Sequence, residues 1–128
     1  MKTVTIEATL AASVDTVWAV ISDVSRCDWV PAVDSIELDG DVRKFTMAGI
    51  GEVHERILLV DEVAHRFQYS AIKTPSMVQH HLATMELSGE GDSCRLVWTS
   101  EIEPDEFADA IRQGMDVSLK GLEAVLAT

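Results

Sequence analysis

Residues 2–10 alternate in polarity, with Val4, Ile6, Ala8 and Leu10 set against Thr3, Thr5, Glu7 and Thr9. A period of two describes a strand with one buried face. The period then changes: Ser13 offers a helix cap, and Val14, Val17, Trp18 and Ile21 recur at helical spacing. Residues 23–30 read as a second short helix or turn, closed by Pro31. From residue 35 to 102 the period of two returns, broken by turn signals. Asp39-Gly40-Asp41 signals a hairpin, while Gly49-Ile50-Gly51 and Gly89-Glu90-Gly91-Asp92 mark further turns. Residues 61–64 link two strands more loosely, and 73–79, with Thr74-Pro75-Ser76, read as an exposed loop.

The final stretch, 104–127, predicts one long amphipathic helix. Phe107, Ile111, Met115, Leu122 and Val125 share a face, opposite Asp109, Arg112, Asp116, Lys120 and Glu123. Ser118 lies within the apolar face, with Gly114 and Gly121 on its margin. Glycine in a helix interior costs about 1 kcal/mol against alanine. Either this helix lies over a space, or close contact with a sheet requires the small residues.

The element order is strand, two helices, six strands, long helix. Short links between successive strands imply antiparallel pairing, and the apolar face of the sheet needs a cover. The expected architecture is α+β, a single domain over residues 1–128. A seven-stranded antiparallel curved sheet would wrap around the C-terminal helix, with two short helices after the first strand.

Composition narrows the possible partners. Among 128 residues, 22 Asp and Glu against 10 Lys and Arg give a net charge of −12, which disfavours nucleic acid and anionic membrane surfaces. Cys27 and Cys94 lack metal-type spacing and read as free thiols. The N-terminal residues contain no apolar signal-like run, and no segment approaches membrane-span length. The expectation is a cytoplasmic monomer or homodimer without membrane insertion.

Strand parity selects inward-facing residues. Val53, Ile57 and Leu59 share a parity with Glu55, and Phe45 and Met47 with Arg43. Folding back at the glycine turn would bring Arg43 and Glu55 together. They would form either a buried ion pair or a site in which Glu55 acts as a pocket base. Phe67 and Tyr69 share an inward parity, and the Tyr69 hydroxyl would need a partner or would orient a ligand oxygen. His80 and His81 must face opposite sides. His81, in phase with Ala83, Met85 and Leu87, faces inward as a proton-transfer candidate or an inert residue at the cavity mouth. Trp98 is placed inward, Trp29 near a cavity entrance and Trp18 in the core. Met77 lies in the Pro75 loop, where it could gate access. No His-Glu-x-x-His pattern or phosphate loop is present, so no metal or cofactor is expected.

Several segments, in order and at matching spacing, resemble the polyketide cyclase/dehydrase-like branch of the START/Bet v 1-type (SRPBCC) helix-grip superfamily. They are Ile6-Glu7-Ala8, Val14-Asp15-Thr16-Val17-Trp18 and Trp29-Val30-Pro31-Ala32-Val33, followed by Gly51 to Arg56, Phe67-Gln68-Tyr69-Ser70 and Arg95-Leu96-Val97-Trp98. The similarity covers essentially the whole chain. It implies a cavity between sheet and C-terminal helix for a small hydrophobic molecule: aromatic, polyketide-like or lipid-like. The candidate ligand-binding side chains are Trp29, Arg43, Phe45, Met47, Phe67 and Met85 on the sheet side, with Trp98. From the helix come Ile111, Met115, Ser118 and Leu122. An alternative is a cyclase, dehydratase or lyase with Glu55 or His81 as base and Tyr69 as donor. A protein-interaction role ranks last, because no extra apolar stripe supports one.

Overall fold

A computed structural model describes residues 1–128 apart from Pro31 and the side chain of Glu90. The closing role expected of Pro31 lies outside the described residues. Strand β1 (Lys2–Leu10) leads into helix α1 (Val14–Ile21), whose N-terminus is capped by the Ser13 hydroxyl accepting from the Thr16 N–H at 3.3 Å. Six strands follow: β2 (Glu37–Asp39), β3 (Val42–Met47), β4 (Gly51–Asp61), β5 (Arg66–Lys73), β6 (His80–Glu90) and β7 (Ser93–Glu103). A 3₁₀ turn (Asp105–Phe107) then opens the terminal helix α2 (Ala108–Leu126). The expected helix over 104–127 thus begins as a tighter turn, in which the Phe107 N–H donates to the Pro104 carbonyl at 3.2 Å.

All seven strands form one antiparallel sheet in the order β1-β7-β6-β5-β4-β3-β2. The chain crosses between the two sheet edges through α1 and residues 22–36. This is the helix-grip fold, with one helix after β1 where two were expected. Residues 23–30 instead form tight turns. Asp23 Oδ1 accepts from the Ser25 N–H and Oγ–H, and Arg26 Nε donates to Asp28 Oδ1 at 2.6 Å. Such local side-chain bonds offer the backbone an alternative to helical pairing.

Alternation fixes the inner face most clearly in β7, where Cys94, Leu96, Trp98, Ser100 and Ile102 are all buried. The core continues through Val17, Trp18 and Ile21 of α1, Phe67 and Met85 of the sheet, and Met115 and Leu122 of α2. The β4–β5 register shifts twice, first between His54 and Glu55, where His54 pairs with Lys73 and Glu55 with Ala71. The second shift, between Ile57 and Leu59, pairs Leu59 with Gln68, on the outer face. Leu59 therefore leaves the face it was expected to share with Glu55, because a bulge resets which side chains point inward.

The β5–β6 ladder ends at the Tyr69–Ala83 pair, although β5 runs on to Lys73 and β6 starts at His80. The two strands part beyond that point, and the 74–79 loop closes them. This parting shapes one side of the space beneath α2.

Candidate ligand cavity and its polar floor

A hollow of about 310 Å³ lies between α2, the concave face of the sheet and residues 22–36. Its walls are mostly apolar. Phe45 and Met47 come from β3, Phe67 from β5 and Met85 from β6. Trp29 and Trp98 form a corner, with ring centroids 6.3 Å apart and planes at 59°. From α2, Ile111, Met115 and Ser118 face the space. Gly114 also borders it, and a Cβ built there would meet nothing within 4 Å. Close packing therefore does not explain this glycine; it lies beside open space. Lining residues that are also exposed mark the mouth: Ile50, Pro75, Ser76, Ala110 and Gly114 itself.

Two expected positions lie elsewhere. Leu122 is fully buried in the core and does not line the hollow, because α2 settles onto the sheet before its last turn. Met77 is 86% exposed and also off the cavity wall. The remaining candidate ligand-binding residues, Arg43 among them, line the hollow.

Arg43 and Glu55 stand directly opposite each other on β3 and β4, with Nε to Oε1 at 2.8 Å. Of the two roles open to them from sequence, the ion pair is formed. The Arg43 guanidinium also lies 4.9 Å from the Tyr69 ring centroid and 5.5 Å from that of Phe67. Two aromatic faces thus support the cation.

Tyr69, His81 and Ser100 are the polar residues of the cavity floor. Burial raises the Tyr69 hydroxyl pKa well above its usual value, and the nearby Glu55 carboxylate adds to the effect. The group stays protonated and able to donate. The Trp98 indole N–H lies near enough to favour the phenolate slightly but outside hydrogen-bond geometry.

His81 is held by the parted strands. Its Nδ1 accepts the Ala71 N–H at 2.9 Å, and its carbonyl accepts from Ser70 Oγ. The ring therefore satisfies a backbone donor that the ended ladder no longer pairs. Burial, with a smaller contribution from His80, lowers its pKa to about 4. The neutral ring has its Nδ1 lone pair engaged, so its proton sits on Nε2. At neutral pH it offers a donor and not the base considered from sequence. His80 faces outward, with Nε2 3.0 Å from Glu101 Oε1.

Ser100 was missed among the candidates. It is 2% exposed, and its parity with Trp98 and Ile102 was the available signal. Among the described residues no group of three or more His, Cys, Asp or Glu could hold a metal. Cys27 and Cys94 are free thiols. No helix among the described residues is long and apolar enough to cross a membrane.

A family model described as polyketide cyclase/dehydrase and lipid transport matches residues 1–127. The chain belongs to that family. Other proteins share its SRPBCC-type fold at low sequence identity. An uncharacterised protein from Bacillus thuringiensis superposes with a TM-score of 0.89 at 20% identity, covering 99% of this chain and 100% of the other. The Zhui aromatase/cyclase from Streptomyces sp. R1128 gives 0.80 at 20% identity, covering 96% and 92%. Norcoclaurine synthase from Thalictrum flavum, in complex with dopamine and hydroxybenzaldehyde, gives 0.79 at 20% identity, covering 98% and 86%. At these identities the likeness concerns the fold. No curated protein matches the sequence.

Proposed function

We propose that this polyketide cyclase/dehydrase-family protein binds a small, largely apolar molecule, about two rings in size, beneath α2. The observation that carries the reading is the hollow of about 310 Å³ walled mainly by apolar side chains, Ile and Val together with aromatic and Met residues. A dry cavity of about 150 Å³ accommodates one benzene. Twice that volume suits a fused bicycle or a substituted single ring. Ligand pockets commonly run from about 300 to 1,000 Å³, so this one stands at the small end. A long acyl chain or a four-ring product would extend out through the mouth. Small aromatic ligands in the structurally similar norcoclaurine synthase accord with this scale.

Thermal shift with graded probes tests the reading: toluene, tetralin, anthracene and palmitate. Tetralin should stabilise most. If no probe raises Tm, the binding function is wrong.

A second reading is acid–base catalysis on a carbonyl compound. Tyr69, kept protonated, would hydrogen-bond to the carbonyl oxygen, while the Glu55 carboxylate would take the α-proton, leaving an enolate held by that hydrogen bond and a protonated Glu55 that returns a proton to carbon. The presence of both groups on one cavity wall favours this alternative. Exchange of the α-hydrogens of 1-tetralone in deuterated water, followed by NMR, tests it. Wild type should accelerate exchange and Glu55→Gln should not. Equal rates in the two proteins would dismiss Glu55 as the base.

A further inference from the structure

The floor of the cavity gathers polar side chains among apolar ones. Tyr69, His81 and Ser100 line the hollow although the residues are only 9%, 8% and 2% exposed, and the buried indole N–H of Trp98 beside Tyr69 has no partner. A donor that opens on a hollow can be met by a ligand acceptor, and a buried one left unmet is costly. The three groups are also close neighbours. Tyr69 pairs across the sheet with Ala83, and Ala83 with Ser100. His81 sits two residues from Ala83 on the same face, and its ring centroid is 5.9 Å from that of Tyr69.

Resting on the ligand-binding reading above, we propose that Tyr69, His81 and Ser100 form a subsite for a neutral carbonyl oxygen, and that the ligand is an apolar ketone. The direction of donation decides the class. His81 can only donate here, because its Nδ1 is occupied by the Ala71 N–H. The Tyr69 hydroxyl keeps its proton and points the same way chemically. A carbonyl accepts two hydrogen bonds and brings no proton needing a partner. The Arg43–Glu55 pair is balanced, so a ligand carboxylate finds no unpaired cation there to offset its desolvation. An amine cation would meet the donor of His81, and the Glu55 charge that might hold it is engaged by Arg43.

Size-matched probes separate this claim from the broader one. Tetralin and 1-tetralone share a skeleton and differ by a CH₂ against a C=O. Water solvates the ketone better, so a purely apolar cavity binds tetralin more tightly. The subsite reverses that order. Binding is read from tryptophan fluorescence and calorimetry on wild type, Tyr69→Phe and Ser100→Ala. Wild type should prefer 1-tetralone to tetralin. Each variant should weaken the ketone by about 3- to 10-fold, as expected for one hydrogen bond, with tetralin affinity unchanged. Equal or tighter binding of tetralin by wild type overturns the subsite while leaving the cavity reading standing. A ketone preference that survives in both variants also overturns it. Failure of both probes to bind removes the cavity reading, and the subsite with it. 1-Naphthoate, the anionic arm, should bind more weakly than either neutral probe, and tight binding of that anion would refute the neutral class.

Discussion

Arg43 and Glu55 face each other in register across β3 and β4, 2.8 Å apart, with side chains only 11% and 14% exposed. The pair occupies a cavity wall, where either charge alone would be poorly solvated. Breaking a buried pair from one side generally costs roughly 3–5 kcal/mol, whereas apolar replacement of both partners is often near neutral. Residual solvent access places these side chains at or below the lower bound. Arg43→Met alone should therefore destabilise by about 2–3 kcal/mol. The double variant Arg43→Met/Glu55→Leu should recover most of the loss. Urea unfolding of the four proteins in the cycle measures this, and additive losses would show that the pair is not coupled.

His81 should make stability depend on pH in a defined direction. Its folded pKa, lowered from 6.5 to about 4, means that the unfolded chain binds a proton the native state refuses. Stability due to the neutral ring is present above the unfolded pKa and declines as pH falls from 6.5 toward 4. Each tenfold change in proton affinity is worth about 1.4 kcal/mol, so the total loss is at most roughly 3 kcal/mol. Carboxylates titrate nearby, so the difference between wild type and His81→Gln isolates the effect. Denaturant melts across this window should show a steeper decline for wild type. Parallel curves would argue against a neutral buried ring.

Gly51 joins the cavity mouth to the 74–79 loop by close approach. Its φ is +125°, and a Cβ built there would stand 2.8 Å from Pro75 Cγ. Alanine would encounter both backbone strain and that clash, and strain in such φ/ψ regions costs about 1–3 kcal/mol. Gly51→Ala should lose stability on that scale. Pro75→Ala in the same chain should restore only part, because it relieves the clash but not the backbone. Chemical denaturation distinguishes the two contributions, and full restoration would remove the backbone argument.

The parts of this fold legible in sequence are those governed by periodicity. Alternation along β7 placed Trp98 inward, and the same rule put His80 and His81 on opposite faces. Ser100 obeyed that rule but was passed over, since a serine in an apolar strand carries no chemical flag. The bulge at Ile57 and Leu59 has no turn residue to announce it. The parting of β5 from β6 was equally hidden, because strand ends depend on pairing between distant segments. That parting gives His81 its backbone donor, which decides how the ring is protonated. Residues 23–30 had polar side chains able to serve either a helix or successive turns, and local bonds from Asp23 favoured the turns.

Leu122 and Ile111 share the apolar face of α2, yet they should separate stability from binding. Leu122 is fully enclosed by core side chains, whereas Ile111 is only partly buried and borders the hollow. Deleting a packed Leu side chain typically costs about 2–5 kcal/mol through lost transfer energy and a new cavity. Leu122→Ala should show that loss in urea melts while the folded fraction retains wild-type affinity for tetralin. Ile111 already faces empty space on one side, so its truncation removes fewer contacts from the unliganded protein and more from the complex. Ile111→Ala should lose less stability than Leu122→Ala but weaken tetralin by about 5- to 30-fold, the equivalent of about 1–2 kcal/mol of apolar burial. The opposite assignment, with affinity falling for Leu122→Ala and holding for Ile111→Ala, would place the ligand under the last turns of α2 instead of the middle ones.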